Sequence, residues 1–146
     1  MATFNDIAVR QTLQADITAQ QVAEADRMDF LPRHAGHRFL LVETTVYRML
    51  EQLSTDYQGG YWDFYTLSNG GYFMAPTDPA QLRLCCDGNG YSGIVSAEAA
   101  GIIACSMALN RLSFQFEGDG LAEAFYQLRD FALAHPESAA IFGALD

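Results

Sequence analysis

The chain has 146 residues, half of them hydrophobic and 12% aromatic, which suits one domain with a packed core and argues against disorder. Its formal net charge is −10, and all eight basic residues are arginine. That balance argues against sequence-independent nucleic-acid binding, which needs a basic patch to neutralise phosphates.

The first 17 residues have weak periodicity and read as a short strand or an irregular arm. They lack the basic and apolar regions of a signal peptide. The most apolar stretch, Ala99 to Leu109, is shorter than the ~20 residues that cross a bilayer. A cytoplasmic protein without membrane contact is expected. Thr18 and Gln21 have capping-box spacing, which predicts a short helix to about Arg27, after which Pro32 forces a break. From His37 to Leu53, Phe39, Val42, Val46, Met49, Leu50 and Leu53 recur at steps of three and four, the pattern of one helix face.

An aromatic run follows. Tyr61–Leu67 predicts a strand, Ser68-Asn69-Gly70-Gly71 a tight turn, and Tyr72–Ala75 the returning strand, because Asn-Gly supplies the positive φ of a hairpin. Pro76 and Pro79 bracket a loop. Leu82–Cys86 and Tyr91–Val95 predict a second hairpin around Asp87-Gly88-Asn89-Gly90. Ser96 is a suitable N-cap, with Glu98 in the first turn, for a helix from Ala97 to about Leu112. That helix is apolar nearly all round and belongs in the centre of a fold. A last amphipathic helix carries Leu121, Ala124, Phe125, Leu128, Phe131 and Ala132 and stops at His135-Pro136, before a turn holding Ile141 and Phe142. The expected fold is α+β: an antiparallel four-stranded meander sheet with helices packed mainly on one face.

Motifs for catalysis or metal binding are incomplete. Gly88 to Gly93 has G-x-G-x-x-G spacing, but Ile94 and Val95 continue as strand where a dinucleotide site needs a helix to open. Ser92 lacks the second glycine of a nucleophile elbow, since Ile94 stands there. His34 and His37 have no third ligand placed by sequence, so no metal is expected and a capping or surface role is favoured. Cys85, Cys86 and Cys105 lack C-x-x-C spacing and read as buried structural thiols, with Cys85 and Cys86 on opposite strand faces. The 18 acids are scattered, densest at Glu24, Asp26 and Asp29 and at Glu117, Asp119 and Glu123, which suits solvated faces better than the carboxylate rows of a DNA mimic.

The wording of three segments is distinctive: YQGGYWDFYTLSNGGYFMAP (Tyr57–Pro76), DGNGYSGIVSAEAAGI (Asp87–Ile102) and DFLPRHAGHRFL (Asp29–Leu40). Together they resemble antirestriction proteins of the ArdB/KlcA type. The similarity runs from about Asp29 to the C-terminus of one domain, with residues 1–28 least well matched and Cys85-Cys86 replacing a more ordinary strand pair. The resemblance implies a protein of mobile elements such as plasmids, relieving cleavage by type I restriction–modification enzymes while leaving methylation largely intact. It implies a non-enzymatic inhibitor without cofactor, acting on the restriction complex directly or through a host factor, and not as a DNA mimic. Two alternatives stand beside it: an acidic DNA mimic, and a small hydrolase using Ser92 or His37. The aromatic strands have two readings, core packing or an exposed partner-binding patch of Tyr61, Tyr65, Asn69 and Tyr72; Asp130 is a second acidic candidate.

Overall fold

A computed structural model describes residues 17–146. In chain order its elements are β1 (Ala19–Gln21), α1 (Arg27–Ala35), α2 (Phe39–Leu53), β2 (Trp62–Leu67), β3 (Tyr72–Pro76), β4 (Gln81–Cys86), β5 (Tyr91–Ser96), α3 (Ala97–Gln115), α4 (Leu121–Leu133) and α5 (Ser138–Leu145). The expectation for the opening arm lies outside the described residues. No helix among the described residues is long and apolar enough to cross a membrane.

The nearly all-apolar sequence of α3 makes it the central element. Ser96 caps it by accepting from the Ala99 N–H at 3.1 Å. Eleven of its residues are buried, including Ile102, Ile103, Leu109 and Leu112. Burying each such side chain is worth about 1.5–3 kcal/mol. Helix α3 lies against β3 so closely that a Cβ on Gly101 would sit 2.4 Å from the Met74 carbonyl oxygen and 2.6 Å from Ala75. One turn further along, the Cys105 thiol accepts from the Met74 N–H and donates to the Met74 C=O, both at 3.4 Å. Burial pushes the Cys105 pKa up to about 12, which keeps the proton needed for that donation.

This contact overturns the four-stranded meander. The strands form two antiparallel sheets, β1-β2-β3 and β4-β5, with no pairing between β3 and β4. The Met74 backbone groups that would have paired with a fourth strand are met by α3 instead. The two predicted hairpins are both present, with Phe64 opposite Met74 in one and Leu84 opposite Gly93 in the other. Helices also cover both faces of the larger sheet, where packing mainly on one was expected. On one face Phe30 of α1 stacks on Phe64 at 4.7 Å and Tyr47 of α2 meets Trp62 at 5.1 Å. On the other, Phe131 of α4 stacks on Phe73 at 5.7 Å.

Two local expectations also fail for identifiable reasons. Thr18 to Gln21 opens no helix: Ala19, Gln20 and Gln21 pair with Leu67, Thr66 and Tyr65, so the cross-strand ladder outcompetes a short helix with a costly nucleus. Pro32 interrupts nothing and lies inside α1. The hydrogen bond it removes is one to the carbonyl of Met28, a residue turned to solvent. Helix α3 runs three residues past the predicted end, and the final turn is the helix α5.

Gly101→Ala forces its methyl into backbone rather than into a flexible side chain. We expect it to lower stability by about 2–3 kcal/mol, read as a lower urea midpoint at unchanged m-value.

Candidate functional site

Strand alternation distributes the aromatic hairpin over two faces. Trp62 and Phe64 point to the α1–α2 side, and Tyr72, opposite Thr66, joins them there. Asp63 and Tyr65 point the other way, as the alternation predicts, but Tyr61, just before the strand, packs with Phe64 against Arg27 of α1. The expected patch is therefore divided. Tyr61 is 52% exposed and Tyr65 is half-buried, but Tyr72 is 4% exposed and belongs to the core. Its ring stacks on His34 at 4.6 Å and meets the Phe30 ring edge at 5.8 Å. The Tyr72 hydroxyl is buried without a hydrogen-bond partner among the described residues, and burial raises its pKa far above the usual tyrosine value. Asp130 lies on the exposed side of α4.

Tyr61 is held in place rather than free. The Arg27 guanidinium lies between two rings, 4.2 Å from the centroid of Tyr61 and 4.3 Å from that of Phe64. Arg27 also donates to the Trp62 carbonyl at 2.8 Å. Glu24 accepts from the Tyr61 hydroxyl at 3.0 Å and stands 4.0 Å from Arg27. Behind them Trp62 Nε1–H donates to the Tyr57 hydroxyl at 2.9 Å. Tyr65 stacks cross-strand on Phe73 at 4.6 Å, nearly parallel.

Asn69 has a structural task. Its side-chain amide donates to the Gln127 carbonyl of α4 at 2.9 Å, and the Gln127 side chain donates back to the Asn69 carbonyl at 3.0 Å. Its Oδ1 accepts from the Gly71 N–H. Gly70 takes φ +93, and a Cβ on Gly71 would come 2.8 Å from Gln127 Cβ. The Ser-Asn-Gly-Gly wording is thus the chemistry of a turn docked onto a helix. Asn89 repeats the device in the second hairpin, donating to the Ala144 carbonyl of α5 at 2.8 Å.

The most connected polar group has almost no local signal in the sequence. At the start of α3, the Ser96 N–H and hydroxyl both bond the Glu137 carboxylate, while Glu98 meets His135 Nε2 at 2.7 Å. His135 Nδ1 accepts from the Glu137 N–H at 3.0 Å, so Nε2 carries the proton given to Glu98. Both imidazole nitrogens are occupied, which leaves this histidine no free base to activate a hydroxyl. Only Ser96 and Glu98 had a local signal, as cap and first-turn acid; His135 and Glu137 come from a segment 37–41 residues later.

The proposed hydrolase pieces are not brought together. Ser92 lies against Cys85, with sulfur and oxygen 3.8 Å apart, whereas His37 faces Asp119 at 3.9 Å. His34 is half-buried in the aromatic cluster, and burial followed by the neighbouring Arg33 charge lowers its pKa. Among the described residues no group of three or more His, Cys, Asp or Glu could hold a metal. Cys86 and Cys105 are buried as expected, but Cys85 is exposed, because strand alternation turns it outward.

The family model described as "Antirestriction protein" matches residues 55–146. The chain is 44% identical over 140 residues to the antirestriction protein KlcA of Escherichia coli, covering 92% of this chain and 99% of that one. It is 45% identical over 141 residues to a second Escherichia coli protein of that name, covering 92% and 97%. It also superposes on a solved structure with a TM-score of 0.84 and 41% identity, covering 90% of this chain and 96% of the other. That structure is described as showing that the KlcA and ArdB proteins have a novel fold and antirestriction activity against type I DNA restriction systems in vivo but not in vitro.

Two substitutions test these roles. Tyr72→Phe removes an unpartnered buried hydroxyl and should leave stability unchanged or raise it by about 1 kcal/mol. Asn69→Ala removes two bonds and should cost about 1–2 kcal/mol. Both are read by urea denaturation; a large loss for the phenylalanine variant would mean that the hydroxyl has a partner in solution.

Proposed function

The chain belongs to the antirestriction protein family, and from that we propose that it relieves type I restriction in the cell as a non-enzymatic inhibitor. The observation that carries this reading is the match along nearly the whole chain to the KlcA proteins and to the KlcA and ArdB fold. Activity of those proteins in vivo but not in vitro supports action through a host component that purified restriction enzyme lacks. The chain would then inhibit by occupying a surface, not by chemistry.

Electrostatics favours this reading over DNA mimicry. Seven carboxylates are held by donors of the same chain, several of them at the surface: Glu24 with Tyr61, Glu43 with Tyr47, Asp56 with the Arg83 N–H, Asp63 with Gln21, Glu98 with His135, Asp119 with Arg38, and Glu137 with Ser96. Acids spent on internal donors are poorly placed to stand in for phosphates along a duplex. Of the aromatic hairpin, a partner can reach the exposed side of Tyr61, held by Arg27 and Glu24, and half-buried Tyr65 on the other face, while Asn69 and Tyr72 serve the fold.

The decisive experiment is the plating efficiency of unmodified phage on cells with an active type I system, with and without this protein. We expect restored plating with methylation of surviving phage intact, and no protection of DNA from the purified restriction enzyme. Restored plating with methylation also lost would favour the mimic. Unchanged plating with abundant folded protein would overturn the antirestriction reading.

A further inference from the structure

The corner where α3 ends and α4 begins carries a feature that neither the fold nor the sheet site uses. Phe114 is 76% exposed and Tyr126 is 61% exposed, whereas every other described Phe, Tyr or Trp ring except that of Tyr61 is buried or half-buried. With half-buried Phe116 and Phe125 they line a groove of about 400 Å³, together with Glu117. Four aromatic side chains around one open groove are a concentration of the residue type that dominates binding energy at interfaces.

Arg38, over the Phe116 wall of the groove, is paired with Asp119, and the charge left unpaired at the rim among the described residues is negative. Helix α3 ends here at Gln115 with no basic residue in its last turn, so the negative end of its dipole is uncompensated. Glu117 adds a full negative charge at the rim. The positive end of α4 also opens here, but Glu123 in its first turn offsets it. Arg111, the nearest arginine in sequence, lines a different groove between α2 and α3.

The fold already shows what this chemistry recognises. On the same corner the Arg38 guanidinium lies 3.7 Å above the Phe116 ring, and its Nε donates to the Asp119 carboxylate at 2.9 Å. A ring face beside a carboxylate holds a guanidinium by cation–π attraction and a charge-assisted bond. Phe114 and Tyr126 beside Glu117 repeat that combination, open to solvent.

We propose that this groove docks an arginine-bearing amphipathic helical segment of a partner protein, and that antirestriction acts through that contact. The apolar face of the segment covers Phe114, Phe125 and Tyr126, and its arginine meets Glu117 and the end of α3. This rests on the proposed function and names the surface behind it.

The test uses the full chain. Isotope-labelled protein is titrated with a short amphipathic helical peptide carrying arginines beside its apolar face, and with the same peptide carrying glutamates instead. Amide shifts should cluster between Asn110 and Tyr126 for the arginine peptide only. The double variant Phe114→Ser, Tyr126→Ser, whose side chains are exposed and whose fold is checked by its urea midpoint, should weaken that binding by about tenfold or more. Glu117→Lys should weaken it too, and should also remove its salt dependence. Shifts centred elsewhere, equal binding of the glutamate peptide, or unchanged affinity in the variants would overturn the proposal. The double variant is then expressed in the plating assay. Loss of relief supports the docking role, and full relief overturns it. If the parent protein itself gives no relief, the antirestriction reading fails, and the titration alone judges the groove as an arginine-binding surface.

Discussion

The approach of α3 to the backbone of β3 is the constraint on which the rest of the structure depends. A helix can come this close to a strand only where a side chain is missing, and Gly101 provides that gap. Cys105, one turn away on the same face, satisfies the Met74 N–H and C=O that the gap would otherwise leave exposed to apolar surroundings. With the outer edge of β3 covered, the second hairpin has no strand to join. It forms its own sheet and is tied to the C-terminal helix through Asn89. A covered edge is also protected from pairing with another chain.

A second theme is how a chain without lysine uses arginine. Arg27 lies between Tyr61 and Phe64, Arg38 above Phe116, and Arg129 over Phe142 at 4.9 Å. The planar guanidinium stacks on rings while its edge serves a carbonyl or carboxylate, which an ammonium cannot do in the same way. In the first two cases an acid, Glu24 or Asp119, completes the arrangement. These clusters pin the outer layer of the fold to its aromatic core.

The exposed aromatic corner between α3 and α4 contrasts with the aromatic hairpin. In the hairpin, stacking partners and hydrogen bonds consume most of the surface that the sequence makes conspicuous, and Tyr72 is lost to the core entirely. At the corner, Phe114 and Tyr126 stay open to solvent, with Phe125 alone meeting the Tyr126 ring, beside the Glu117 carboxylate. Conspicuous wording and available surface are separate properties: the first reflects constraints on folding, and the second follows from what packing leaves over.

Much was legible in the sequence alone. Apolar periodicity located α2, α3 and α4, Ser96 announced the α3 cap, and the two Asn-Gly-type turns located both hairpins, because each depends on residues close together in the chain. The family was legible in the wording of Tyr57–Pro76 and Asp87–Ile102. What only the tertiary structure decided involves partners far apart. Thr18 to Gln21 became a strand because β2 offered it a ladder, and Pro32 was tolerated because the bond it deletes falls toward solvent. The four predicted strands parted into two sheets because α3 took the place of a neighbour along β3. Tyr72 left the expected patch because register, one residue at a time, chooses the face. The pairing of Ser96 and Glu98 with Glu137 and His135 has no local signature at all. Local pattern determines which elements form; close approach between distant elements determines which edges and faces remain for function.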